Sequence, residues 1–163
     1  MNYHNITTED LLNGDGLRTV LWVAGCSHHC PFCQNPETHD PESGILFDND
    51  AYKELVEDLS KPYISGLTLS GGDPLYVGNR ETITELTKDI KELFPSKNIW
   101  CYTGFLYEEV KDLEIMDYID VLVDGKYIEA LKDVNLWWRG SSNQRVIDMN
   151  ETRKLNEVCL YCN

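Results

Sequence analysis

Leu17-Arg-Thr-Val-Leu-Trp-Val-Ala24 runs through Gly25 into Cys26-Ser-His-His-Cys30-Pro-Phe-Cys33, and these residues decide the fold. Segment 17–24 is dominated by β-branched, aromatic and aliphatic residues, which predicts a strand that stops at Gly25. The cysteine loop therefore leaves the C-terminal end of a strand. Its thiols fall at spacings of four and three, so their thiolates can converge on a single inorganic centre. Closed structural zinc and iron-sulfur sites normally take four protein ligands, whereas three leave a coordination position open to water or substrate. That count points to catalysis. A zinc knuckle completed by a histidine or a distant cysteine, or three unconnected thiols, also fit these residues alone.

Outward from the loop, strand and helix signals alternate. Asn13-Gly-Asp-Gly16 reads as a turn and Glu37 to Asp50 as a long loop. Tyr52, Leu55, Val56 and Leu59 recur at helical spacing, with Asp48 or Asn49 as N-cap and Pro62 as the stop. Ile64 to Leu69 predicts a short strand that delivers Ser70-Gly-Gly-Asp-Pro74 at its end. Ile83, Leu86, Ile90 and Leu93 form the clearest amphipathic pattern, ended near Pro95. Ile99 to Thr103 predicts a third strand, Tyr107 to Met116 a helical stretch, and Ile119 to Val123 a fourth strand reaching Asp124. Past Lys132, Leu136-Trp-Trp138 and Arg145-Val-Ile147 predict two more short strands, the second leading toward a C-terminal helical segment. Such alternation means βαβ units and a parallel sheet, with functional residues in the loops after the strands. A closed (β/α)8 barrel usually needs ~250 residues, so this chain supplies only about five or six units. The predicted fold class is α/β, an incomplete (partial) TIM-like barrel open on one side.

Lys and Arg number 14 against 28 Asp and Glu, and the net charge of −14 argues against a nucleic-acid partner. The N-terminus has no basic or apolar leader, and no segment approaches the ~20 apolar residues that span a bilayer. A soluble, cytoplasmic protein with no membrane partner is expected. The length predicts one domain over residues 1–163, able to bury roughly 70% of its unfolded surface without disulfides. Six cysteines without an export signal read as metal or redox residues. Among them Cys101 reads as a buried strand thiol. Cys159 and Cys162 form a CxxC whose spacing permits a redox disulfide or half a metal site, and a dispensable or weakly metal-binding tail is the favoured reading.

CxxxCxxC with an aromatic residue, Phe32, before the last cysteine resembles the signature of the radical S-adenosylmethionine (SAM) enzymes. Ser70-Gly-Gly-Asp-Pro-Leu75, Val123-Asp-Gly-Lys-Tyr127 and Arg139-Gly-Ser-Ser-Asn-Gln-Arg145 are similar to one branch, the activases of anaerobic ribonucleoside-triphosphate reductase. This resemblance spans nearly the whole chain. It implies a radical SAM domain in which Cys26, Cys30 and Cys33 hold a [4Fe-4S] cluster. The methionyl amino and carboxylate groups of SAM would chelate the remaining iron, and the anionic cluster would attract the sulfonium. An electron from a low-potential donor would then cleave SAM, and the 5′-deoxyadenosyl radical would generate a glycyl radical on the reductase.

The same resemblance implies roles for individual residues. Phe32 would cover the cluster near the adenine, or else serve as core filler. His28 and His29 are expected to be solvated or hydrogen-bonded loop residues, since a fourth protein ligand would block SAM. Gly71 and Gly72 suit close backbone approach to a ligand, or an ordinary strand-to-helix turn. Asp73 stands where the wider superfamily has a glutamate that accepts from the SAM amino group, and is one methylene shorter. Thr103, Asp124 and Lys126 would lie near the SAM carboxylate, with Lys126 as its charge partner; a turn aspartate and a surface lysine are the plainer alternatives. Gly140 to Gln144 suggests a turn touching ligand or partner. Two rival functions remain: the activase of another glycyl-radical enzyme such as pyruvate formate-lyase, and a non-catalytic metal or electron-transfer protein with Cys159 or Cys162 closing a four-cysteine site.

Overall fold

The strand before the cysteine loop forms as its composition dictates, and it lies inside a sheet. The computed structural model describes residues 1–162. In chain order the elements are β1 (Asn2–Asp10), β2 (Arg18–Val23), β3 (Ile45–Leu46), α1 (Asn49–Leu59), β4 (Gly66–Gly71), α2 (Arg80–Leu93), β5 (Asn98–Tyr102), α3 (Tyr107–Val110), β6 (Val121–Asp124), β7 (Arg145–Asp148), α4 (Met149–Leu155) and β8 (Leu160–Cys162). They build one mixed α/β sheet in the order β3-β1-β2-β4-β5-β6-β7-β8. Its middle, β2-β4-β5-β6, is parallel, while β1 and β3 on one edge and β7 and β8 on the other run antiparallel to their neighbours.

The parallel run thus has four strands, fewer than the five or six units expected from length. The cause lies between β6 and β7. A parallel return needs a crossover, usually a helix, but residues 125–144 carry only a 3-10 turn at Glu129–Leu131, and β7 comes back antiparallel. Leu136-Trp-Trp138 belongs to this loop and forms no strand. Trp138 has φ 56, a left-handed backbone outside the β region. The expected helix over 107–116 also divides, into α3 and a 3-10 turn at Glu114–Asp117. Val110 and Ile115 are both buried, yet five residues is about 140° around a continuous helix, so a break is needed to bury both.

Alternation along the central strands sorts side chains onto two faces. Leu21, Val23, Leu67, Leu69, Ile99, Cys101 and Leu122 form one core with Leu55 and Leu59 of α1, Ile83, Leu86 and Ile90 of α2, and Met149 of α4. The helices therefore cover one face. On the other lie Trp100, Val121, Val123 and Val146, with Tyr102, Trp138 and Cys162 packed on them. Asp48 caps α1 by accepting from the Asp50 and Ala51 amides at 3.0 Å each, a contact worth about 1 kcal/mol. Among the described residues no helix is long and apolar enough to cross a membrane.

Arg18 closes the lower end of the second face. It is fully buried and donates to Thr68 Oγ1 (2.7 Å), Asn98 Oδ1 (2.7 Å), Leu67 O (2.8 Å) and Asp15 O (2.9 Å), with its guanidinium 5.4 Å from the Trp100 ring centroid. Burial lowers its pKa to about 10, so it stays charged at neutral pH, held by carbonyl, hydroxyl and amide oxygens.

Candidate functional site

The cysteine loop is clasped at its root. Gly25, at φ +99, donates to Thr38 O at 2.7 Å, and Cys26 N donates to His39 O at 3.1 Å. The 3-10 turn Pro36–Thr38 thus returns the chain onto the end of β2. Within the loop Cys33 N donates to Cys30 O (3.1 Å), and His29 and Phe32 have left-handed backbones at φ 48 and 59. All three thiols are free and partly buried. The His28 and His29 amides reach Cys26, and Asn35 N donates to Cys33 Sγ at 3.4 Å.

These features fit a thiolate-bound cluster. Amide donors favour thiolate over thiol, whereas burial pushes the Cys26 thiol up, so a bound cation is what would keep it deprotonated. The loop brings the sulfurs to one cleft wall and not to one point: among the described residues no three His, Cys, Asp or Glu side chains stand in a metal-holding group. The cleft has a volume of ≈ 630 Å³, and its lining includes Cys26, Cys30, Cys33, Ser70, Gly71 and Gly72 on one side and Arg139, Gly140 and Gln144 on the other. Two groups in its wall, His39 Nε2 and Arg139 Nε, are buried without a hydrogen-bond partner.

Gly71 and Gly72 sit where β4 meets the root of the loop. A Cβ on Gly71, at φ +103, would fall 2.6 Å from both Val23 N and O; one on Gly72 would fall 2.5 Å from Gly25 O and 2.8 Å from Thr38 O. The close approach they allow is thus to the protein's own backbone, while both also line the cleft. Asp73 is only 1% exposed. Its Oδ2 accepts from His28 Nε2 (2.7 Å), Thr103 Oγ1 (3.0 Å) and Gly104 N (3.0 Å), and its Oδ1 accepts from Leu75 N (2.8 Å). Thr103 and Gly104 line the cleft; Asp73 stands behind them.

Asp124 is fully buried at the end of β6 and accepts from Tyr107 N (2.8 Å), from Arg145 Nε (3.0 Å) and from a second Arg145 nitrogen. Arg145 also grips both carboxylate oxygens of Glu108, at 3.1 and 2.8 Å. The Asp124 and Glu108 carboxylates hold the Arg145 guanidinium above its ordinary range, and Arg145 in turn lowers Glu108. Lys126 is exposed and, among the described residues, makes no ion pair. Phe32 is 78% exposed; neither it nor Lys126 lines the cleft. Gln144 Oε1 accepts from Gly140 N (3.0 Å) and Ser141 N (3.1 Å), and its Nε2 donates to Gly125 O (3.0 Å), so Gly140 to Gln144 is a closed turn stitched to the end of β6.

This arrangement meets known proteins of one kind. A reductase-activating protein of Enterobacteria phage T4, named for anaerobic ribonucleoside-triphosphate reductase, is 50% identical over 146 residues, covering 90% of this chain and 93% of its own. Similarly named proteins of Escherichia coli K12 (43% identical, 90% and 97% covered) and Haemophilus influenzae (41%, 88% and 96%) match as fully. The chain belongs to the anaerobic ribonucleoside-triphosphate reductase-activating protein family. A family model described as a 4Fe-4S single cluster domain matches residues 12–147. For this activating-protein chain the matched span takes in the cysteine loop, Asp73, Asp124 and Gln144, and leaves Cys159 and Cys162 outside.

Sequence reading missed several partners in this member of the activating-protein family. Arg145 is the cation that meets Asp124, and His28 is the loop's inward anchor. Arg18 stands in the apolar run that forms β2 and is buried there. Its burial was signalled only by a charge inside such a run. The tail is also no loose appendage: Cys162 pairs with Val146 in register and packs against Trp100 and its neighbours.

Proposed function

We propose that this chain is the radical SAM activase of an anaerobic ribonucleoside-triphosphate reductase, a single domain built as an incomplete barrel. One observation carries the proposal: three free thiols, without a fourth, share a loop at the C-terminal ends of parallel strands and open on a nucleoside-sized cleft. Cys101 is buried in β5 on the helix-covered face, its thiol pushed well up by burial. Cys159 precedes β8 and Cys162 ends it, with β4, β5, β6 and β7 between that strand and β2. A four-cysteine site has no support in that topology. Helices on one face of the sheet and the cleft on the other suit a barrel left open for a protein substrate.

In this reading Cys26, Cys30 and Cys33 hold a [4Fe-4S] cluster and the amides of His28, His29 and Asn35 stabilise its thiolates. Gly71, Gly72 and Thr103 wall the cofactor. Asp73 and Asp124 act from behind the wall. When bound, the cluster and SAM would supply the chemistry, one-electron reductive cleavage of SAM and hydrogen abstraction from a glycine Cα of the reductase. The chain's own part is to hold, orient and keep water out. Anaerobic reconstitution followed by SAM titration tests this. The electron paramagnetic resonance spectrum of the reduced cluster should change on adding SAM, and an unchanged spectrum with iron retained would favour a non-catalytic electron carrier.

A further inference from the structure

Between two of the cysteines, the His28 side chain is turned inward and is 6% exposed. Its Nε2 lies 2.7 Å from Asp73 Oδ2, and its ring packs edge-on against Phe105 with centroids 4.5 Å apart. A Cβ on Gly104 would stand 2.4 Å from the ring, so that glycine leaves the room the imidazole occupies. An ionised carboxylate accepts about four hydrogen bonds, and the Asp73 carboxylate already takes four, from His28, Thr103, Gly104 and Leu75. Asp73 N adds a bond to Gly25 O at 2.8 Å, at the root of the same loop. One buried carboxylate therefore joins the cysteine loop, the end of β4 and the end of β5.

We propose that His28 and Asp73 form a tether that sets the cysteine loop against the ends of β4 and β5. Both are positioning residues for the cluster, and Asp73 acts on the loop through His28 instead of touching SAM. This rests on the reading of Cys26, Cys30 and Cys33 as cluster ligands. A longer carboxylate has no room in so closed a pocket, which gives a physical reason for aspartate at this position. Asparagine is no substitute either, since its amide nitrogen would face a donor.

The test compares His28→Leu, His28→Gln, Asp73→Asn and the His28→Leu/Asp73→Asn double variant. Backbone amide exchange over residues 27–35 is measured on cluster-free protein, with α2 as the control for global opening. Losing a charge-assisted bond should speed exchange there by roughly ten- to hundredfold. The double variant should be no faster than the faster single one, because both cut the same link, and His28→Gln, which keeps a donor, should recover part of the protection. In reconstituted protein the reduced-cluster resonance should shift in His28→Leu before any SAM is added. The proposal is overturned if His28→Leu exchanges and resonates as wild type while Asp73→Asn lowers only SAM affinity, since Asp73 would then be a direct ligand contact. Should Asp73→Asn fail to fold, the two His28 variants decide. Should the wild-type chain take up no iron, the cluster reading fails while the exchange comparison still decides the tether.

Discussion

At Gly72 an added methyl group would meet backbone oxygens of both Gly25 and Thr38, and neither can turn aside as a side chain could. Gly72→Ala should therefore cost about 2–4 kcal/mol, and a melting curve should show a drop of roughly 4 °C or more. Replacing Cys26, Cys30 or Cys33 singly with Ala should abolish iron retention after reconstitution, while Cys159→Ala and Cys162→Ala retain it. Iron analysis checks this, and a Cys159→Ala protein without iron beside a Cys30→Ala protein with it would reverse the assignment. The three loop thiols were legible because their spacing is local. The partners of Asp73 were not: His28, Thr103 and Gly104 lie 45, 30 and 31 residues away, and no periodicity encodes such contacts. Asp73 stands out in the sequence by its place in the resemblance and Asp124 as the end of a strand, but the Asp73 carboxylate is filled by four protein donors and Asp124 takes three.

Among the elements, β2, β4, β5 and β6 and helices α1 and α2 could be read from apolar pattern, since strands buried on both faces are near-continuous apolar runs. Strand β1 could not. In Asn2–Asp10 only Tyr3 and Ile6 are buried, too few to mark a strand by alternation. β3 and β8 are shorter still and owe their existence to pairing. For β8 this matters: Tyr161 stacks edge-on against Trp100 and Trp138 at 5.2 and 5.8 Å. Tyr161→Ala should lower stability by about 1–3 kcal/mol through lost aromatic contact and burial, read as a lower urea midpoint, with iron retention unchanged. The loop after β6 is held by Arg145 between Asp124 and Glu108. Because Arg145 lowers the Glu108 carboxyl, the pair's contribution is complete above the ordinary value of 4.5 and fades as pH falls through the lower folded value. Glu108 is half-exposed, so the effect stays below ~1 kcal/mol. Glu108→Gln should flatten that part of the acid limb in a denaturation series.

For the whole molecule, the division of labour between faces is the main result. Helices and most of the apolar side chains sit on one side of the sheet, and the cysteine loop opens on a cleft of ≈ 630 Å³ on the other. The α/β class was legible from alternation, but the antiparallel edges were not, because what reverses β7 is the missing crossover helix in residues 125–144. The net charge of −14 is compatible with the proposed protein partner. The central claim, radical transfer to that partner, is tested most directly by mixing reconstituted, reduced protein with SAM and anaerobic ribonucleoside-triphosphate reductase under strict anaerobiosis and recording the paramagnetic resonance of the reductase. The predicted result is a glycyl-radical doublet on the reductase, with methionine and 5′-deoxyadenosine formed. Intact SAM and a silent reductase under strong reduction would contradict it, as would a doublet that arises only on a formate-lyase partner.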